Sequence, residues 1–118
     1  MNNRSVVKAK DEVIGVKVKN HADETLGEIC EIMLDKNTGQ VAYAVLESGS
    51  FLGLGGKLFA LPWKTFSYDP NKECFVCNLD KERLENAEGF DKDHWPDMSD
   101  RRWGEGISKY YGVKSYWE

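Results

Sequence analysis

The sequence predicts a mainly β protein, a small six-stranded antiparallel barrel followed by a short helical C-terminal extension. Two observations carry that reading. Between residues 13 and 62 short alternating segments are punctuated by glycine: VIGVKVKN, LGEICEIMLDKNTG, QVAYAVLESG and SFLGLGGKLFALPW. After Leu79 the period-two pattern stops and aromatic residues recur at helical spacing instead.

Residues 1–11 are polar and of mixed charge, and read as a mobile lead-in. From Val13 the residues Ile14, Val16 and Val18 alternate with Gly15, Lys17 and Lys19, the signature of a strand with one buried face. The polar run 20–25 reads as a hairpin turn. In the second strand Cys30, Ile32 and Leu34 share one face, while Glu31, Met33 and Asp35 share the other, with Met33 partly covered by a neighbour. Asp35-Lys36-Asn37-Thr38-Gly39 is the strongest turn signal, since Asp and Asn bond their own backbone and Gly39 accepts a positive φ.

The third strand, 41–46, is apolar on both faces, as in a covered sheet. A loop over 47–56 holds four glycines, and the fourth strand, 58–61, ends at Pro62, which lacks a ladder donor. Segments 66–68 and 75–79 flank Asp69-Pro70-Asn71-Lys72 and form a last hairpin. Asp80 is placed to cap a short helix over 81–86, with Leu79 stapled to Leu84 and Gly89 ending it. A second helix runs from about Ser99 to Tyr111, with Gly112 at its C-cap.

These 118 residues divide into a lead-in (1–11), a barrel (12–79) and an aromatic extension (80–118). The net charge of −4, with acids spread among the bases, argues against direct nucleic-acid binding. No apolar run approaches the roughly 20 residues of a membrane span or the core of a signal peptide, so membrane insertion is not expected, although peripheral association is compatible. Three cysteines in strand-like positions suit a reduced, cytoplasmic setting.

The order and spacing of VIGVKVKN, LGEI, LDKNTGQVAYAVLESG and FLGLGGKLFALPW over about residues 12–79 resemble the PRC-barrel domain. That domain is named after the photosynthetic reaction-centre H subunit. It also forms the C-terminal part of a bacterial ribosome maturation factor, and occurs as free-standing small proteins, which this chain resembles most. The resemblance implies a six-stranded antiparallel barrel that holds partners and has no shared catalytic site. It assigns Gly27, Asp35, Gly39, Gly53 and Pro62 to turns and closure.

Chemical motifs weigh against this background. Cys74-Phe75-Val76-Cys77 has CxxC spacing, but in a strand positions i and i+3 face opposite ways, about 10 Å apart. Gly53-Leu54-Gly55-Gly56-Lys57 lacks both the following Ser or Thr and the helix of a phosphate loop. His21 and His94 have no nearby ligand pair. No enzyme activity, metal or cofactor is therefore expected. Trp95, Trp103, Tyr110, Tyr111, Tyr116 and Trp117 concentrate aromatic area in the extension, either packed on the barrel or forming an interface, with Trp117 reaching outward. The expected function is protein association, through a homo-oligomer formed at the barrel edge or the tail. Alternatives implied by the resemblance are an accessory role in photosynthetic electron-transfer complexes and an adaptor role in ribosome assembly.

Overall fold

The computed structural model describes residues 4–49 and 56–118. The elements in chain order are α1 (Ala9–Glu12), β1 (Lys17–Lys19), β2 (Thr25–Leu34), β3 (Val41–Ser48), β4 (Leu58–Pro62), a 3-10 turn (Trp63–Thr65), β5 (Phe66–Asp69), β6 (Cys74–Cys77), α2 (Lys81–Glu85) and α3 (Arg101–Tyr111). The six strands form one sheet in the order β4-β3-β2-β1-β6-β5.

The sheet is mixed, which corrects the expected all-antiparallel barrel. β1 and β6 pair in parallel, Val18 opposite Phe75 and Lys19 opposite Val76, while the other four pairings are antiparallel. The reason lies in the link from β4 to β5. Three residues, tightened by Thr65 Oγ1 donating to the Pro62 carbonyl at 2.7 Å, carry the chain from one edge strand of the sheet to the other. A three-residue link makes four Cα–Cα steps and spans at most about 14 Å, whereas five strand spacings in a flat sheet amount to roughly 24 Å. The sheet must therefore curl into a half-barrel, and β6 returns beside β1 in the same sense.

The first strand is shorter than the alternation suggested. Residues 9–12 make a helical turn that Val13 and Ile14 extend by donating to the Ala9 carbonyl, so the lead-in carries structure where none was expected. Gly15 then turns the chain at φ +87°, and regular pairing starts only at Lys17. Val13, Ile14 and Val16 all pack on the core, which two consecutive strand residues cannot do from one face.

In β2 the alternation breaks at two irregularities, between Ile29 and Glu31 and between Met33 and Leu34. Ile32 consequently faces the barrel interior, Met33 faces the extension, and Leu34, expected to share a face with Ile32, is 57% exposed. At Gly27, β2 runs close against β3: at φ +156°, a Cβ there would stand 2.1 Å from the Glu47 carbonyl oxygen. The β2–β3 turn forms as expected, with Asp35 Oδ1 accepting from the Asn37 and Thr38 amides and Gly39 at φ +81°.

The interior is apolar, built on Val18, Leu26, Ile29, Leu46, Phe59 and Leu61. Leu79 and Leu84 join this core, but Asp80, although at the N-cap position of α2, makes no side-chain cap hydrogen bond. α2 ends at Glu85, before Gly89. Gly89 instead lies against β4, where a Cβ would meet the Leu58 carbonyl oxygen at 2.8 Å. α3 is capped at both ends, by Asp100 accepting from the Arg102 amide and by Gly112 in the left-handed region.

Candidate functional site

The extension uses most of its aromatic surface inside the molecule. Tyr43 of β3 is 2% exposed, with Trp103 edge-on at 5.2 Å and Tyr116 edge-on at 5.9 Å. Trp117 lies against Gly104 of α3: a Cβ there would meet the indole at 2.9 Å and the Tyr43 hydroxyl at 2.6 Å. Trp117, expected to reach outward, is thus half-buried, with the Arg101 guanidinium 5.0 Å over its ring. Tyr111 packs on the interior core, and burial pushes its phenol well above the ordinary value. Tyr110 stands edge-on to it at 5.0 Å. Tyr110 also ties α3 to α2, its hydroxyl donating to the Arg83 carbonyl at 2.5 Å and its own carbonyl accepting from the Arg83 guanidinium. Trp95 is the most exposed of the six at 42%, and rests on Phe90 at 5.1 Å.

Asp35, expected as a turn residue, does more. Its Oδ2 accepts from the Tyr116 hydroxyl at 2.6 Å, fastening the C-terminal segment to the β2–β3 turn. That bond and the Asn37 amide hold the Asp35 carboxyl below its usual range, and the same bond raises the Tyr116 phenol. Next to this fastening is a cavity of about 350 Å³. Met33, Ala42, Tyr43 and Met98 supply its apolar wall, and Asp35, Lys36, Ser99 and Arg101 its polar side. The Tyr43 hydroxyl is buried and has no hydrogen-bond partner among the described residues, and burial pushes its pKa up to about 12. An orphaned buried hydroxyl costs about 1–3 kcal/mol.

Sequence reasoning missed Tyr43, Gly104 and Arg101. Only the apolar character of both faces of 41–46 signalled that something covers the outer face of β3; what covers it depends on residues sixty positions away.

A second feature lies at the sheet's margins. The β4 margin is covered: Leu58 and Phe90 exchange backbone hydrogen bonds at 2.8 and 2.9 Å. Pro62, at the end of β4, faces Tyr43 across the ladder. The other margin, β5, has β6 as its sole ladder neighbour among the described residues, and Tyr68 on it is 50% exposed.

The remaining candidate groups do not converge. Cys74 and Cys77 are buried and unbridged, and burial raises the Cys77 thiol. Cys30 is raised to about 11 by burial and by the Glu47 carboxylate, which makes it a poor nucleophile at neutral pH. Gly53 and most of the glycine loop lie outside the described residues; Lys57, at the loop's end, sits 5.5 Å over the Phe59 ring. His94 bonds Asp91 at 2.7 Å at the surface, and no cluster of potential metal ligands exists among the described residues. Among those residues no helix is long and apolar enough to cross a membrane.

No curated protein matches the chain. The PRC-barrel domain family matches residues 6–84, more than half of the 118 residues, and that span contains the whole sheet and all of α2 but its last residue, Glu85. The curled six-stranded sheet and this match together place the chain in the PRC-barrel domain family.

Proposed function

We propose that the protein is a non-catalytic association module that pairs with a second copy of itself along β5. The observation that carries this reading is the asymmetry of the sheet margins: the extension covers β4 and leaves β5 without a neighbour among the described residues. An unpaired strand presents a row of backbone donors and acceptors suited to another strand. Charge supports a copy of the same chain as the occupant. Lys64 precedes β5 and Asp69 ends it, so an antiparallel pairing about a twofold axis sets the basic end of each strand beside the acidic end of the other. Tyr68, half exposed and edge-on to Phe75 at 5.2 Å, supplies apolar area at the centre.

The tail is the weaker route to association, because Trp103, Tyr111, Tyr116 and Trp117 are engaged within the molecule. Light scattering at about 0.1 mM protein separates the two routes. The expected result is a dimer mass for the wild type and for Trp95→Ala, and a monomer mass for Ser67→Lys, which sets two ammonium groups face to face across the axis. A wild-type monomer, or a dimer that survives Ser67→Lys and dissociates with Trp95→Ala, overturns the β5 reading.

A further inference from the structure

The cavity between the β2–β3 turn and the C-terminal segment does not enter the association reading, and its chemistry is one-sided. Asp35 is its acceptor, and that carboxylate is already engaged by the Tyr116 hydroxyl and by the Asn37 and Thr38 amides. The uncommitted groups are donors. The Arg101 guanidinium contacts the Trp117 ring face and interacts electrostatically with the Asp35 carboxylate, but makes no hydrogen bond to an acceptor among the described residues. The Lys36 ammonium is exposed at the rim. The Tyr43 hydroxyl has no hydrogen-bond partner among the described residues and lies behind the inner wall, close to Gly104 of α3, which also packs on the Trp117 ring. Opposite these donors lies an apolar wall of Met33, Ala42 and Met98. A volume of about 350 Å³ falls within the range of small-molecule sites.

We propose that this cavity binds a small monocarboxylate with an aromatic or branched apolar body. The carboxylate supplies the acceptors that Arg101 and Tyr43 lack, in the forked geometry a guanidinium favours. The apolar body lies along Met33, Ala42 and Met98. The Trp117 ring, packed between Arg101 and Gly104, turns to admit the ligand to Tyr43. The site is assembled from both parts of the chain: Met33 to Tyr43 lie within the family-matched residues, and Met98, Ser99, Arg101, Tyr116 and Trp117 lie beyond them. It is therefore a property of this chain's extension joined to its barrel.

The test is a titration of the full-length protein with 2-naphthoate, with 2-naphthamide as the uncharged control, read by calorimetry and by the indole N–H resonance of Trp117. The expected result is saturable 2-naphthoate binding that shifts the Trp117 resonance and is at least tenfold tighter than binding of the amide. Arg101→Gln should weaken 2-naphthoate about tenfold or more, and Tyr43→Phe, which removes only the hydroxyl, several-fold. Arg101 is exposed, and a circular dichroism spectrum matching the wild type verifies that Arg101→Gln keeps the fold. No saturable shift up to about 10 mM, equal affinity for acid and amide, or binding indifferent to Arg101→Gln overturns the proposal. Since β5 lies outside this cavity, a monomeric wild type leaves the inference standing, and absence of binding leaves the association reading standing.

Discussion

The two faces of β3 are covered in different ways. Toward the barrel interior, Ala44 and Leu46 join Leu26, Ile29, Phe59 and Leu61 in one cluster, and none of these six side chains carries a polar atom. Toward the extension, Tyr43 meets Trp103, Tyr116 and Ile107 across aromatic edges, a close glycine contact and a hydroxyl without a partner among the described residues. The first face is a packed core that tolerates little change. The second is a seam between two parts of the chain, held by ring contacts and one charged hydrogen bond, with a cavity left in it. The seam is where a ligand has room and where polar groups remain uncommitted.

If the interior is the mechanical core, Phe59→Ala should have the largest effect, a loss of about 3–5 kcal/mol in urea unfolding, because the site is fully buried and bounded by strands that cannot collapse. A loss under about 1 kcal/mol would break the distinction between the faces. Next is Gly104→Ala. Alanine is the better helix former, yet its Cβ would press on the Tyr43 hydroxyl at 2.6 Å and the Trp117 ring at 2.9 Å. The net expectation is a loss of about 1–3 kcal/mol, with changed Trp117 fluorescence; a gain would show that the seam is looser than its contacts indicate.

Tyr43→Phe should act in the opposite direction to most buried substitutions and raise stability by about 1 kcal/mol, since it deletes an orphaned hydroxyl and keeps the ring. A melting temperature lowered by this change would mean that the hydroxyl has a partner in solution.

The smallest effect is a pH dependence. The Tyr116 to Asp35 bond requires a protonated phenol and an ionised carboxyl. Asp35 is lowered in the folded state, so its contribution is present above the ordinary value of 3.8 and lost as pH falls through the folded value. Tyr116 is raised, so its contribution is present below 10.0 and lost as pH rises through its folded value. Tyr116→Phe should therefore flatten the stability profile at both ends and leave its middle lower than in wild type. Identical profiles would show that the segment is fastened by ring packing alone.

The interior face was legible in the sequence because its signal is local. The glycine of the Asp35 to Gly39 turn, the apolar run 41–46 and the proline closing β4 each follow from the backbone needs of neighbouring residues. The same reasoning failed where alternation is interrupted: Leu34 faces outward because irregular pairing re-aims the end of β2, and the first strand is shortened by a helical turn. The seam was only half legible. Its six aromatics stood out, but their destinations depend on which faraway groups the fold sets beside them. Trp117 lies inward because Gly104 leaves it room, and Asp35 holds Tyr116 across 81 positions.

By itself the sequence determined the family, the β-rich architecture, the principal turns and the capped helix at the end, all set by side-chain size, period and backbone freedom over a few residues. Only the tertiary structure decided the parallel pairing of β1 with β6, the β5 margin with β6 as its one ladder neighbour among the described residues, and the cavity at the seam. Each of these depends on how far the sheet curls and where the extension lands, quantities set by the packing of the whole chain and carried by no single segment of it.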